Sequence, residues 1–137
     1  MIERNIYKDG AFIVTRCSGR LTAKELIASQ YWMVENFGSS IKPGFSQIFD
    51  AMAADTDDIS EDDIHRVAQI NIHHAKERGS FSMAILATKP YPLALARLHK
   101  LLASAAGIRV EIFSELEDAY QWLGIQAPMV ERDEQEG

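Results

Sequence analysis

Cysteine is nearly missing from this chain: of 137 residues only Cys17 carries a thiol, so no internal disulfide can form and a reducing compartment is expected. Long apolar runs are missing too. No window approaches the ~20 residues that span a bilayer, and the opening MIERNIYKDG is charged where a secretory leader would be apolar. A cytoplasmic location is the expectation. Positive charge is scarce: Lys and Arg number 14 against 20 Asp and Glu, a formal net charge of −6. That balance argues against a nucleic-acid binder, which needs a positive face, and limits any contact with anionic membranes to a peripheral one. There is no Gly-rich phosphate loop, no HExxH and no cysteine pair. The sequence therefore asks for no cofactor.

What is present is an ordinary globular composition, 47% hydrophobic and 25% charged. It is enough for one domain with its own core. That domain is expected over 1–126. The tail 127–137, with four acids in its last seven residues, is expected to be disordered.

Hydrophobic periodicity divides the domain. Asn5–Tyr7 and AFIVTRCSG predict two strands joined by the turn KDG, with Phe12 and Val14 on one face and Ile13, Thr15 and Cys17 on the other. Thr22 with Glu25 forms a capping-box pattern. The helix behind it places Leu26, Ile27, Tyr31, Val34 and Phe37 on one face and stops at Gly38. FSQIFDA predicts a short strand. Ser60 with Asp63 repeats the capping pattern, and a helix follows toward Gly79 with Ile64, Val67, Ala68, Asn71 and Ala75 inward. SFSMAILAT is a near-continuous apolar strand of the kind covered on both faces. LALARLHKLLASAAG predicts a helix, IRVEIFS an alternating strand, and ELEDAYQWLG a last helix with Leu116, Ala119, Tyr120 and Leu123 inward. The order ββαβαβαβα calls for an α/β fold: a mostly parallel five-stranded sheet after an N-terminal hairpin, covered by about four helices.

The stretch FDAMAADTDDISEDDIHRV holds seven of the acidic residues. Read from Asp55 as a calcium loop, it offers Ser60 where Gly is needed and Arg66 where a bidentate Glu belongs, so it is not an EF-hand. A receiver-type phosphoacceptor at Asp50 would need an acidic pair after the first long strand, and that position reads CSGR. The density of carboxylates leaves a looser divalent-cation site open, and two further readings stand beside it. Ser60 or Thr56 could accept a phosphate near a helix N-terminus, although surrounding carboxylates would repel it. Alternatively Ser60 only caps and the acids solvate an exposed loop.

Strands with helical crossovers bring Arg20, Asp50, the acidic loop, Lys89-Pro90-Tyr91 and Ser114 to the carboxyl end of the sheet, where ligands of open sheets settle. Arg20, Asp50, Lys89, Tyr91 and Arg97 are the candidate ligand-binding residues, with Tyr91 and Arg97 placed to hold an anionic or amphipathic head group. No nucleophile–base pair is visible, so an enzyme is not expected. The four histidines read as surface residues, with His73 and His74 about 100° apart on a helix. Cys17 reads as a packed thiol. Leucines at 93, 95, 98, 101 and 102 spread more than halfway round their helix, a surplus that suits deep burial, a homodimer contact, a membrane-facing patch or a ligand lid.

GRLT before the first helix, FD near the end of the third strand, DISEDDI, SMAILAT, YPLALARL, VEIF and AYQWLG occur here in one order. In these, roughly residues 5 to 124 resemble the STAS and SpoIIAA-like superfamily, and more narrowly the bacterial SpoIIAA-like branch grouped with CRAL-TRIO-type lipid carriers. The resemblance implies a SpoIIAA-like fold and a non-catalytic regulatory or carrier module, binding a partner protein or a small apolar or amphipathic ligand. Relatives include anti-sigma-factor antagonists switched by phosphorylation of a serine in an approximate Asp-Ser-Ser-Gly motif. Here that stretch reads Asp58-Ile59-Ser60-Glu61, with the glycine and one serine replaced.

Overall fold

The computed structural model describes residues 1–75 and 79–126. The acidic tail and the segment approaching Gly79 lie outside the described residues. Alternation of apolar side chains makes Ile2–Tyr7 (β1) and Phe12–Arg20 (β2) an antiparallel pair, in the register Ile2↔Cys17 to Tyr7↔Phe12. The turn between them requires Gly10. Its φ is +94°, and a Cβ there would run into the carbonyl oxygen of Ser40. Gly10 also accepts a backbone hydrogen bond from Lys42 at 2.9 Å, tying the hairpin to the segment that enters the next strand.

Three crossovers follow: Ala23–Asn36 (α1) to Ser46–Asp55 (β3), Glu61–His73 (α2) to Phe81–Leu86 (β4), and Pro90–Ser104 (α3) to Ile108–Phe113 (β5). Leu116–Leu123 (α4) closes the described chain, with Gly124 in the left-handed region at its end. The sheet order is β1-β2-β3-β4-β5, with β2 to β5 parallel. Because each right-handed crossover steps the same way across the sheet, α1, α2 and α3 stack on one face. α4 leaves the last strand and covers the other.

Caps explain where helices start. Thr22 accepts from the Glu25 N–H at 3.1 Å; Ser60 and Asp63 complete a reciprocal capping box, each side chain accepting the other's backbone N–H. α3 begins at Pro90, a turn earlier than its apolar periodicity predicts, since prolines fit the first helical turn, where N–H groups lack partners.

Other boundaries and faces also differ from expectation. β1 starts at Ile2 rather than Asn5. β3 runs on to Asp55, because a register shift between Arg16 and Ser18 lets Ser18–Arg20 keep pairing with Ala53–Asp55. On α1 the buried residue is Met33, while Tyr31 is exposed; Trp32, Met33 and Val34 are all apolar, so periodicity alone mis-set the inward stripe. Leu116 sits 40% exposed at the open start of α4, and Ala75 is exposed just past the end of α2.

The core falls into two layers. On the α4 face, Tyr7, Phe12, Val14, Ile48, Ala84 and Leu86 meet Ala119 and Tyr120. On the three-helix face, Ile13, Met33, Phe45, Phe81 and Ile85 join Ala96 and Ala103, with Phe45 stacked on Phe81 at 4.3 Å between ring centroids.

Candidate functional site

Between the sheet and the three helices lies a cavity of about 100 Å³. β3 contributes Gln47, Phe49 and Ala51, alternate residues of one face, and β4 contributes Phe81, Met83 and Ile85, with Ala87 just past its end. From above come Leu26 and Met33 of α1 with its C-cap Phe37, Ile64 and Val67 of α2, and Leu95 and Ala96 of α3. The walls are mostly apolar, with polar side chains set among them, the usual make-up of a small-molecule site.

Most of those polar groups are already paired. Gln47 donates to Thr15 Oγ1 at 3.1 Å, Gln30 donates to Asn71 Oδ1 at 2.8 Å, and Asn71 donates to the Val67 carbonyl at 3.3 Å. Ser29 accepts from Arg4, whose guanidinium also lies 4.0 Å over the Trp32 ring. Burial lowers the Arg4 pKa, and its Nε has no partner among the described residues. Thr56 differs. Its residue is 5% exposed, and Oγ1 is buried with no hydrogen-bond partner among the described residues. His99 is 7% exposed, and desolvation drives its pKa down to about 4, so the ring is neutral at pH 7. The surface reading of the histidines is therefore wrong for His99: α3 turns it under, into the cavity wall.

The acidic stretch divides between cap, loop and wall. Ser60 caps α2, and Asp57 donates its N–H to Asp55 Oδ1 at 3.0 Å, folding the loop back. Thr56 and Ile59 turn inward and line the cavity, while Asp57 and Asp58 stay outside. The expectation of a wholly solvated loop is corrected at those two residues.

None of the five predicted ligand residues lines the cavity; two of them fasten its lid. Arg20 Nε donates to Asp58 Oδ2 at 2.5 Å, and that contact lowers the Asp58 pKa. The Tyr91 hydroxyl donates to the Ile59 carbonyl. Together they hold loop 56–60 down from the end of β2 and the start of α3. Lys89 is the exposed N-cap residue of α3, and Arg97 is exposed on its outer side. Asp50 alternates with Phe49 and Ala51, so it faces the α4 side with Ile48, where it accepts the Met52 N–H at 3.0 Å. Ser60 is exposed; Thr56, the other phosphorylation candidate, is not. Thr56 and His99 carried one legible signal each, a hydroxyl directly after a strand and a histidine within a leucine-rich helix. Neither reveals burial without the tertiary arrangement.

The chain's fold is similar to that of a solved structure. It is an uncharacterized protein of the DUF3478 family with a SpoIIAA-like fold, from Shewanella loihica PV-4. The two share 16% identity at a TM-score of 0.59 over 90% of this chain and 92% of that one. The fold is SpoIIAA-like. No family model and no curated protein matches the sequence. In this SpoIIAA-like chain the cavity lies under the crossover helices, and the capped N-terminus of α2 stands outside it. Cys17 is packed beneath Leu21 and Ile59, its thiol pushed up to about 12 by burial, where it is unreactive. Among the described residues no helix is long and apolar enough to cross a membrane.

Proposed function

We propose that this SpoIIAA-like chain is a non-catalytic, cytoplasmic binding module that holds a small apolar or amphipathic molecule between its three crossover helices and the sheet. The observation that carries the reading is the cavity itself: apolar walls with the buried Thr56 hydroxyl left unpaired among the described residues. Protein interiors pack to a density near ~0.74 with few voids larger than a water, and a buried hydroxyl without a partner costs stability. A ligand that fills the space and meets the hydroxyl accounts for both features.

Binding is favoured over turnover because His99 has no hydrogen bond to a hydroxyl or carboxylate among the described residues. A base needs a nucleophile within reach and an orienting partner. Mass spectrometry of the purified protein, native and denatured side by side, tests the reading. A mass retained in native spray and lost on denaturation is the expected result. A bare chain, both as purified and after incubation with a lipid-soluble cell extract, would sink it.

A second reading keeps one specific support: Ser60 is exposed at the N-terminus of α2, where backbone N–H groups favour an anion. Phosphorylation there would break the capping box and switch affinity for a partner protein. A phosphate that survives denaturation and maps to Ser60 would move the conclusion to this mechanism.

A further inference from the structure

The lining of the cavity constrains what it takes. Along β3 the wall runs from Gln47 to Ala51, a span of about 13 Å at roughly 3.3 Å per residue. The volume is about 100 Å³, which admits only a small molecule.

Charge is the second constraint. Among the described residues no Asp, Glu, Lys or Arg lines the cavity, and the His99 ring in its wall is neutral at pH 7. Arg4 reaches only as far as Ser29, where its guanidinium is engaged by the hydroxyl and the Trp32 face. At pH 7 an ionic ligand would be buried there without a charged partner among the described residues, at a desolvation cost. The third constraint is the count of free partners. Gln30, Gln47, Asn71 and Ser29 are bonded to neighbours. Thr56 Oγ1 is both fully desolvated and unpartnered among the described residues, and the neutral His99 ring has no hydrogen bond to a hydroxyl or carboxylate among them.

Resting on the binding reading above, we infer that the ligand is small and electrically neutral, with one hydrogen-bonding end group, and that the Thr56 hydroxyl is its anchor. Its apolar part lies between Phe49, Met83 and the helices. The end group lies under loop 56–60, which Arg20 and Tyr91 hold in place.

Four probes of near-equal length test this on the full chain by amide chemical-shift titration: n-pentane, 1-pentanol, pentylammonium and pentanoate. The expected order is 1-pentanol about tenfold tighter than pentane, the gain of one satisfied hydrogen bond, and at least tenfold tighter than either ion. Thr56→Val should erase the alcohol's advantage while pentane still binds, which also shows that the variant is folded. If either ion binds as well as the alcohol, the neutral-ligand inference is overturned and the cavity reading stands. If the alcohol's advantage is absent, or survives Thr56→Val, the anchor is wrong. If no probe shifts residues lining the cavity, the binding reading falls with it.

Discussion

On one face of the sheet, the eight-residue α4 presses Ala119 and Tyr120 onto Phe12 and Ile48, with Phe12 within 5.7 Å of the Tyr7 ring and 6.1 Å of the Tyr120 ring. On the other, three helices of 13 to 15 residues cover more ground yet leave a cavity with a neutral histidine and a hydroxyl unpaired among the described residues in its wall. The contrast separates two uses of burial. The small helix contributes stability through packed aromatic area. The large layer leaves unfilled space, which is where the proposed ligand would sit. A sheet closed on one side by a tight layer can carry an under-filled layer on the other, because the first supplies rigidity.

The largest expected effect lies on the packed face. Phe12 is fully buried at the centre of its cluster, so Phe12→Ala should cost about 3–5 kcal/mol in urea unfolding. A cost under ~1 kcal/mol would mean that this face is not the rigid one and would dissolve the contrast.

Next comes a pH effect confined to the cavity face. The His99 pKa in the folded chain, about 4, lies below its ordinary 6.5. The unfolded chain therefore binds the proton first as pH falls. Stability should be full above pH 6.5 and decline between 6.5 and about 4. Over that window the loss approaches ~3 kcal/mol, at about 1.4 kcal/mol per pH unit. His99→Leu should flatten this part of the curve. If the slope persists in the variant, another group titrates there and the ring is not the neutral wall residue described.

This histidine also marks the boundary of what the sequence makes legible. Element order, the caps at Thr22 and Ser60, and the split of β2 into two faces follow from local pattern and agree with the structure. These are features that neighbours a few residues apart decide. The α1 face, the length of β3 and the burial of Thr56 and His99 depend on which distant segment lies across from them. Arg20 and Tyr91 were identifiable as residues of the carboxyl edge. Their roles emerged only when loop 56–60 was seen to fold between them, over the cavity.

A matched pair of alanines sharpens the comparison at smaller scale. Ala119 is fully buried between α4 and the sheet, and Ala96 is 6% exposed in the cavity wall. Ala119→Leu should cost about 1–3 kcal/mol by overpacking, whereas Ala96→Leu grows into empty space and should stay within about 1 kcal/mol of the parent. The same Ala96→Leu protein should lose any ligand seen in native spray. Equal shifts in urea midpoint at unchanged slope would mean that the two layers are packed alike.

The smallest effect is a matter of local opening rather than of global stability. Arg20 and Asp58 have side chains 72% and 40% exposed, so water and salt screen their attraction and removing it should leave the unfolding midpoint nearly unchanged. What the pair does is position loop 56–60. In Arg20→Ala, amide exchange should accelerate at Ile59, whose N–H bonds the Thr56 carbonyl at 3.0 Å, and at Leu21, whose N–H bonds the Asp55 carbonyl at 2.9 Å. Amides of the Phe12 and Tyr120 layer should not respond. The Asp58 pKa is held below the ordinary carboxylate value, first by the hydrogen bond from Arg20. The pair's contribution is therefore full above that ordinary value and is lost as pH falls through the depressed one. Acid should thus reproduce the loop opening of Arg20→Ala in the parent, and the variant should show no further acid response at Ile59. Acceleration shared by both faces would make the change global and remove the loop's independence; acceleration at the loop alone would mark it as the way into the cavity.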